Sequence, residues 1–217
     1  MQVTTEVFVL YPETNNFSSN TYLITGREPL LIDPGLHSKE HLGAFLKSHG
    51  YKLSDIKKIV LTHAHADHFA SGKYFPKARF FISEQDGLYL KTKDDFYTMS
   101  EFFVNHYYPD NLSFLKNEEY IDLGSSKYKV LITPGHTSGS ISLYDKKNGI
   151  FISGDLLFED SCGRFDLISS SKAELISSLK KVRELDFKIL LAGHGLVFNS
   201  SEESQRKTIE QVLKLLI

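Results

Sequence analysis

Residues 62–69 read THAHADHF. Three histidines and one aspartate (His63, His65, Asp67 and His68) fall within six positions, directly after KKIVL at 57–61, which reads as a buried strand. The cluster follows neither a helical nor a strand period, which places it at the end of an element rather than inside one. Alternate side chains of an extended chain point the same way, so His63 and His65 can face one ion. A turn into a helix then carries Asp67 and His68 toward a second ion nearby. Imidazole with carboxylate suits zinc, and also iron or manganese where oxygen ligands are more numerous. A lone histidine in such a loop is ordinarily a polar surface residue, but that reading does not account for four donors in six residues.

The same construction recurs further along. TPGHTSGS (133–140) sets His136 between a strand and a Gly-rich turn. GIFISGDLLF (149–158) sets Asp155 just past an apolar run, and KILLAGHGL (188–196) does the same for His194. Glycine lets the backbone turn sharply there, so the donor projects from a sheet edge. Seven donors can therefore meet on one rim. His63, His65 and His136 would surround one ion, Asp67, His68 and His194 the other, and Asp155 would bridge them.

The remaining pattern supplies the scaffold. Val7 to Leu10, Thr21 to Thr25 and Leu30 to Ile32 are short apolar runs separated by the turn signals PETNN (12–16) and GREP (26–29), an antiparallel meander. Ser38 can cap a helix over 39–49 with Leu42, Phe45 and Leu46 on one face. A second meander is expected over 120–123, 128–133, 140–144 and 150–153, then helices at 173–185 and 202–216 with a strand at 188–192 between them. Strands, helix and strand, twice over, imply an α/β fold in four αββα layers. The segment at about 85–119 is dense in Phe and Tyr and reads as an inserted helical pair, either with its own small core or as a lid whose aromatics wall a pocket. The chain is expected to form one domain over 1–217.

Bulk properties exclude several classes. A net charge of -2 argues against a nucleic-acid binder driven by charge. No apolar run approaches a membrane span, and the first residues lack a signal-peptide pattern. Cys162 is the single cysteine, so no intrachain disulfide can form, which fits a reducing compartment. The expectation is a cytoplasmic protein acting on a small molecule.

The motifs LIDPG (31–35), THAHADH (62–68), TPGHTSGS (133–140), SGD (153–155) and GHG (193–195) together resemble the metallo-β-lactamase superfamily, and within it the glyoxalase II group. The resemblance runs from about residue 20 onward and implies the αββα metallo-β-lactamase sandwich. It implies a dinuclear hydrolase with two zinc ions, or zinc with iron, in which a metal-bound hydroxide attacks a carbonyl and Asp67 and Asp155 take part in catalysis. Asp33 matches the aspartate of the family's first motif and would support the ligands by hydrogen bonds rather than bind metal.

LFEDSCGRFDL (157–167) is similar both to glyoxalase II and to persulfide dioxygenases, where a cation in this stretch meets the substrate. Arg164 would be that cation, gripping the anionic end of a thioester against Phe103, Tyr107 or Tyr108. Cys162 reads as a small buried apolar residue. Two departures weigh against glutathione: Leu196 stands where the family has a tyrosine, and the helical domain that grips glutathione is not expected after His194. The reading is a short glyoxalase II-like thioester hydrolase, with a mononuclear iron persulfide dioxygenase as the alternative. His37 is a candidate for the pocket mouth.

Overall fold

The computed structural model describes residues 1–13, 17–26 and 28–216. The expected turns at 12–16 and 26–29 include Thr14, Asn15, Asn16 and Arg27, which lie outside the described residues. The first sheet contains β1 (Val7–Leu10), β2 (Thr21–Ile24), β3 (Leu30–Ile32), β4 (Lys58–Val60), β5 (Arg79–Ser83) and β6 (Leu112–Leu115), in that order. The second contains β7 (Tyr120–Asp122), β8 (Lys127–Ile132), β9 (Ile141–Asp145), β10 (Ile150–Gly154), β11 (Ile189–Ala192) and β12 (Phe198–Asn199), also in sequential order. The helices are α1 (Lys39–Ser48), the single turn α2 (Ala66–Phe69), α3 (Glu84–Thr92), α4 (Lys172–Val182) and α5 (Glu202–Leu216).

Side-chain alternation explains the layering. In β1 to β4, Val7, Val9, Tyr22, Ile24, Leu30, Ile32 and Val60 face the second sheet, where Val130, Leu143, Ile152 and Leu191 meet them. Their neighbours Leu10, Leu23, Leu31 and Ile59 turn the other way onto Leu42, Phe45 and Leu46 of α1. Across the molecule, Leu131, Tyr144, Phe151 and Leu190 pack under Leu175, Leu179 and Val182 of α4 and Ile209, Val212 and Leu213 of α5. Strands buried on both faces read as continuous apolar runs, as LLI and ILLA do here. Ser38 caps α1 through its side chain, as its residue type leads one to expect. The result is the four-layer αββα sandwich. Among the described residues no helix is long and apolar enough to cross a membrane.

The segment at 85–119 departs from the expected helical pair. It holds one helix, α3, followed by a run of turns over 95–104, and it ends in β6, which joins the first sheet in parallel with β5. Met99 and Val104 take left-handed backbone conformations, with φ of 55° and 50°, and a helix cannot pass through them. The aromatic spacing therefore belongs to successive turns rather than to helix faces.

Strand direction positions the site. β3, β4, β5 and β6 run parallel, as do β10 and β11, and β8 shares the direction of β10 because each is antiparallel to β9. The loops after β4, β8, β10 and β11 leave carboxyl ends, where open α/β sheets place their ligands. These are the loops that carry the histidines and Asp155.

Candidate metal centre

His65 stands at the amino end of α2, and Asp67 and His68 lie inside it. His63, His65, His68 and His136 are buried to 4% exposure or less. Asp67 and Asp155 are buried too, and the His194 side chain stays one-third exposed. The structure gathers the seven donors into overlapping sets: His63 with His65 and His136, Asp67 with His68 and His194, and His63 with His68 and Asp155. In the first set the Nδ1 of His65 lies 3.1 Å from the Nε2 of His63 and 3.0 Å from the Nε2 of His136. Asp155 sits between the sets. Its Oδ1 is 3.5 Å from His68 Nε2, and its Oδ2 is 3.5 Å from His136 Nε2 and 3.6 Å from His194 Nε2.

The Asp155 separations fit a metal centre better than a hydrogen-bonded cluster. Two ligands on one tetrahedral ion, each about 2.1 Å from it, stand roughly 3.4 Å apart. His68 Nε2 and Asp155 Oδ1 are buried with no hydrogen-bond partner. Orphaned polar atoms in a protein interior are costly and rare, and an ion would satisfy both.

The surroundings fix which nitrogen each ring presents. Asp33 Oδ2 accepts from His68 Nδ1 at 2.9 Å, which leaves Nε2 as the free donor atom toward Asp155. The backbone carbonyl of Arg164 accepts from His136 Nδ1 at 2.8 Å, with the same consequence. Asp33 also accepts from the backbone N–H and the hydroxyl of Thr62, at 2.8 and 2.7 Å, and so ties the β3 end to the first histidine. Asp33 holds φ at 47°, a conformation that aspartate tolerates better than most residues. Gly193 is required by close approach: a Cβ there would run into the Asp155 carboxylate and His68.

Charge follows from burial and neighbours. Burial, helped by His68, His65 and His136, holds His63 well below the usual histidine range. Burial and His136 bring His65 down to about 3, so both rings are neutral and keep a lone pair for an ion. Burial also opposes charge on His68, but Asp67, Asp33 and Asp155 together outweigh it and hold that ring well above its ordinary value, so these carboxylates favour a positive charge at this point, which a metal ion on Nε2 would supply in place of the proton. Burial pushes Asp155 up, yet His194, His68 and His136 more than offset it and keep the carboxylate ionised.

One supporting residue was not singled out from the sequence. Asp86, completely buried in α3, accepts from the Ala64 N–H at 2.8 Å, the Thr137 hydroxyl at 2.9 Å and the Tyr97 hydroxyl at 2.8 Å, and also from the Gly139 N–H. It therefore joins the His63–His65 loop, the His136 loop and the turn segment. Gly139 leaves room for it, since a Cβ there would strike the carboxylate. The sequence signal was masked, because Ser83 and Asp86 read as an ordinary helix cap, which they also are.

Other expected residues fall as follows. Arg164 lines the cavity over the centre, but its guanidinium is exposed and paired through Nε and a terminal nitrogen with Asp166, both at 2.9 Å. Phe103 lines the same cavity. Tyr107 and Tyr108 instead pack on the outer core of the first sheet. Cys162 is half-buried against the α4–α5 core, and burial raises its thiol. Leu196 is exposed.

His37 does not reach the mouth. It is 4% exposed, contacts the Thr21 hydroxyl at 3.0 Å through Nε2, and leaves Nδ1 without a partner. Burial, with the nearby His41, brings its pKa down to about 4. Above its ordinary value of 6.5 the ring is neutral in both folded and unfolded chains, and no penalty applies. Between 6.5 and 4 only the unfolded chain takes up the proton, so stability falls as pH falls through that window. By pH 5 the loss reaches about 2 kcal/mol. His37→Leu should flatten this acid limb when melting temperatures of variant and wild type are compared at pH 7 and pH 5. Parallel limbs would show that His37 is not its source.

Histidines and carboxylates meeting at strand ends between two covered sheets define a metal-dependent enzyme fold. The family model of the metallo-β-lactamase superfamily matches residues 14–194, and the chain belongs to that superfamily. A probable metallo-hydrolase of Methanocaldococcus jannaschii is 33% identical over 188 residues, covering 82% of this chain and 88% of that one. A hydroxyacylglutathione hydrolase of Bartonella quintana is 33% identical over 111 residues, covering 46% of this chain and 43% of its own length. A protein crystallised in a di-iron-bound form superposes with a TM-score of 0.76 at 27% identity, covering 93% of this chain and 98% of that one.

Proposed function

We propose that the chain is a dinuclear metal hydrolase of acyl thioesters, related in chemistry to glyoxalase II and working on a small molecule in the cytoplasm. The observation that carries this reading is Asp155, whose two oxygens face donors of both sets at 3.5 to 3.6 Å. His63, His65 and His136 would hold one ion, and Asp67, His68 and His194 the other. Zinc, or zinc with iron, suits this mixture of imidazole and carboxylate. When bound, such ions polarise a carbonyl oxygen and acidify water toward neutrality. The chain itself contributes orientation. Asp33 and the Arg164 carbonyl hold two rings in the required tautomer, and Asp67 keeps a carboxylate oxygen 3.3 Å from His194 at the cavity floor, where it can orient a water molecule.

The test is metal analysis combined with anomalous scattering on metal-replete protein, followed by assay against thioesters. Two ions within reach of the seven donors and thioester hydrolysis are expected. A single iron on two histidines and an aspartate, with oxygen uptake on a persulfide, would favour the oxidoreductase reading. Absence of metal at these side chains would end both.

A further inference from the structure

We infer that the cavity over the metal centre takes a thioester with an apolar acyl chain on an uncharged thiol carrier. This rests on the hydrolase reading and extends it to the substrate. The cavity measures about 680 Å³, and its floor is the donor cluster. That volume is what a drug-sized ligand fills, so there is room well beyond the reacting carbonyl. Phe17, Met99, Phe102, Phe103, Phe158 and Leu167 line its walls. They come from three separate parts of the chain.

Two of these rings are expensive to leave in water. Phe17 is 73% exposed and Phe102 is 65% exposed, and they meet edge to face across 6.4 Å. A patch of this kind at the mouth of a site favours a ligand that covers it with hydrocarbon.

Charge points the same way. Apart from the floor donors, Arg164 is the charged residue among the described lining residues, and its charge is offset by the Asp166 carboxylate, which takes one Nε–H and one terminal N–H. An anionic carrier such as glutathione would meet an ion pair with the Asp166 carboxylate beside it rather than a lone cation, and an uncharged carrier meets no such repulsion.

The experiment uses metal-loaded protein and acetyl, butyryl, hexanoyl and octanoyl thioesters of N-acetylcysteamine, an uncharged thiol. In parallel, calorimetry measures binding of ketone analogues in which CH2 replaces the sulfur. From acetyl to octanoyl, kcat/KM and ketone affinity should both rise, by roughly 30-fold or more, since each buried methylene contributes up to about fourfold. Phe17→Ser and Phe102→Ser, at exposed positions that do not hold the fold, should flatten the gradient. Octanoyl-N-acetylcysteamine should be cleaved at least as well as octanoyl-glutathione. A gradient flat in both hydrolysis and binding would overturn the inference, as would a tenfold preference for the glutathione ester. Ketone affinity that rises with chain length without any hydrolysis would support the pocket and reject the hydrolase reading instead.

Discussion

On the proposed dinuclear reading, Asp155→Ala should cost at least about a thousandfold in thioester hydrolysis and bring the bound metal from two ions to one or none. Loss of a residue that merely supports a metal ligand typically costs about 10- to 100-fold. Asp155 is placed to do more, because its Oδ1 faces His68 and its Oδ2 faces His136 and His194. No other carboxylate among the described residues approaches donors of both sets in this way. Removing it would leave three imidazoles facing a gap, and neither ion would have a complete set of ligands. The strand that carries it should survive, since β10 is held by its registers with β9 and β11 and by the bond from the Gly193 N–H to the Gly154 carbonyl at 2.8 Å. Asp155→Asn keeps one acceptor oxygen and should retain more metal than the alanine variant. Near-normal turnover of Asp155→Ala, with a native circular dichroism spectrum, would show that the two ions do not share this residue.

Much of this arrangement was legible in the sequence for a physical reason. A donor that must leave a buried strand and turn into a site needs an apolar run, then a glycine or a sharp turn, then the donor itself, and IFISGD and LLAGH display that order openly. The layers were legible because strands, helix and strand follow one another twice, and because strands buried on both faces read as continuous apolar runs such as LLI and ILLA. What stayed hidden depends on pairing rather than pattern. LSFL at 112–115 is too short and too mixed to announce β6, and it becomes a strand because β5 offers it a parallel edge. The left-handed Met99 and Val104 could not be foreseen from their residue types. Arg164 was legible as a cation near the site, but the capture of its guanidinium two residues away by Asp166 was not.

The second large effect is expected at Asp86. Asp86→Ala would leave the Ala64 and Gly139 N–H groups and the hydroxyls of Thr137 and Tyr97 without their acceptor in a dry interior. An unsatisfied buried donor costs about 1–3 kcal/mol. The hydroxyls can turn, Tyr97 toward Ser138 and Thr137 toward Ser140, at 2.9 and 2.7 Å, so the two backbone groups carry most of the loss. A total of about 3–5 kcal/mol follows, which for a chain of this length lowers the melting temperature by roughly 10 °C. Stability alone would not separate this residue from any other buried acid. The distinguishing readout is metal affinity, because Ala64 lies between His63 and His65, and Thr137 follows His136. Freeing both loops should weaken binding about 10- to 100-fold even at temperatures where the variant is fully folded. Asp86→Asn tests the same point from the other side. Its amide oxygen can keep Ala64 and Thr137 while its NH2 donates to the Tyr97 hydroxyl, so only the Gly139 contact suffers. The asparagine variant should recover most of the metal affinity while remaining somewhat less stable than wild type. If the alanine variant melted lower but bound metal as tightly as wild type, Asp86 would be a folding residue with no hold on the centre.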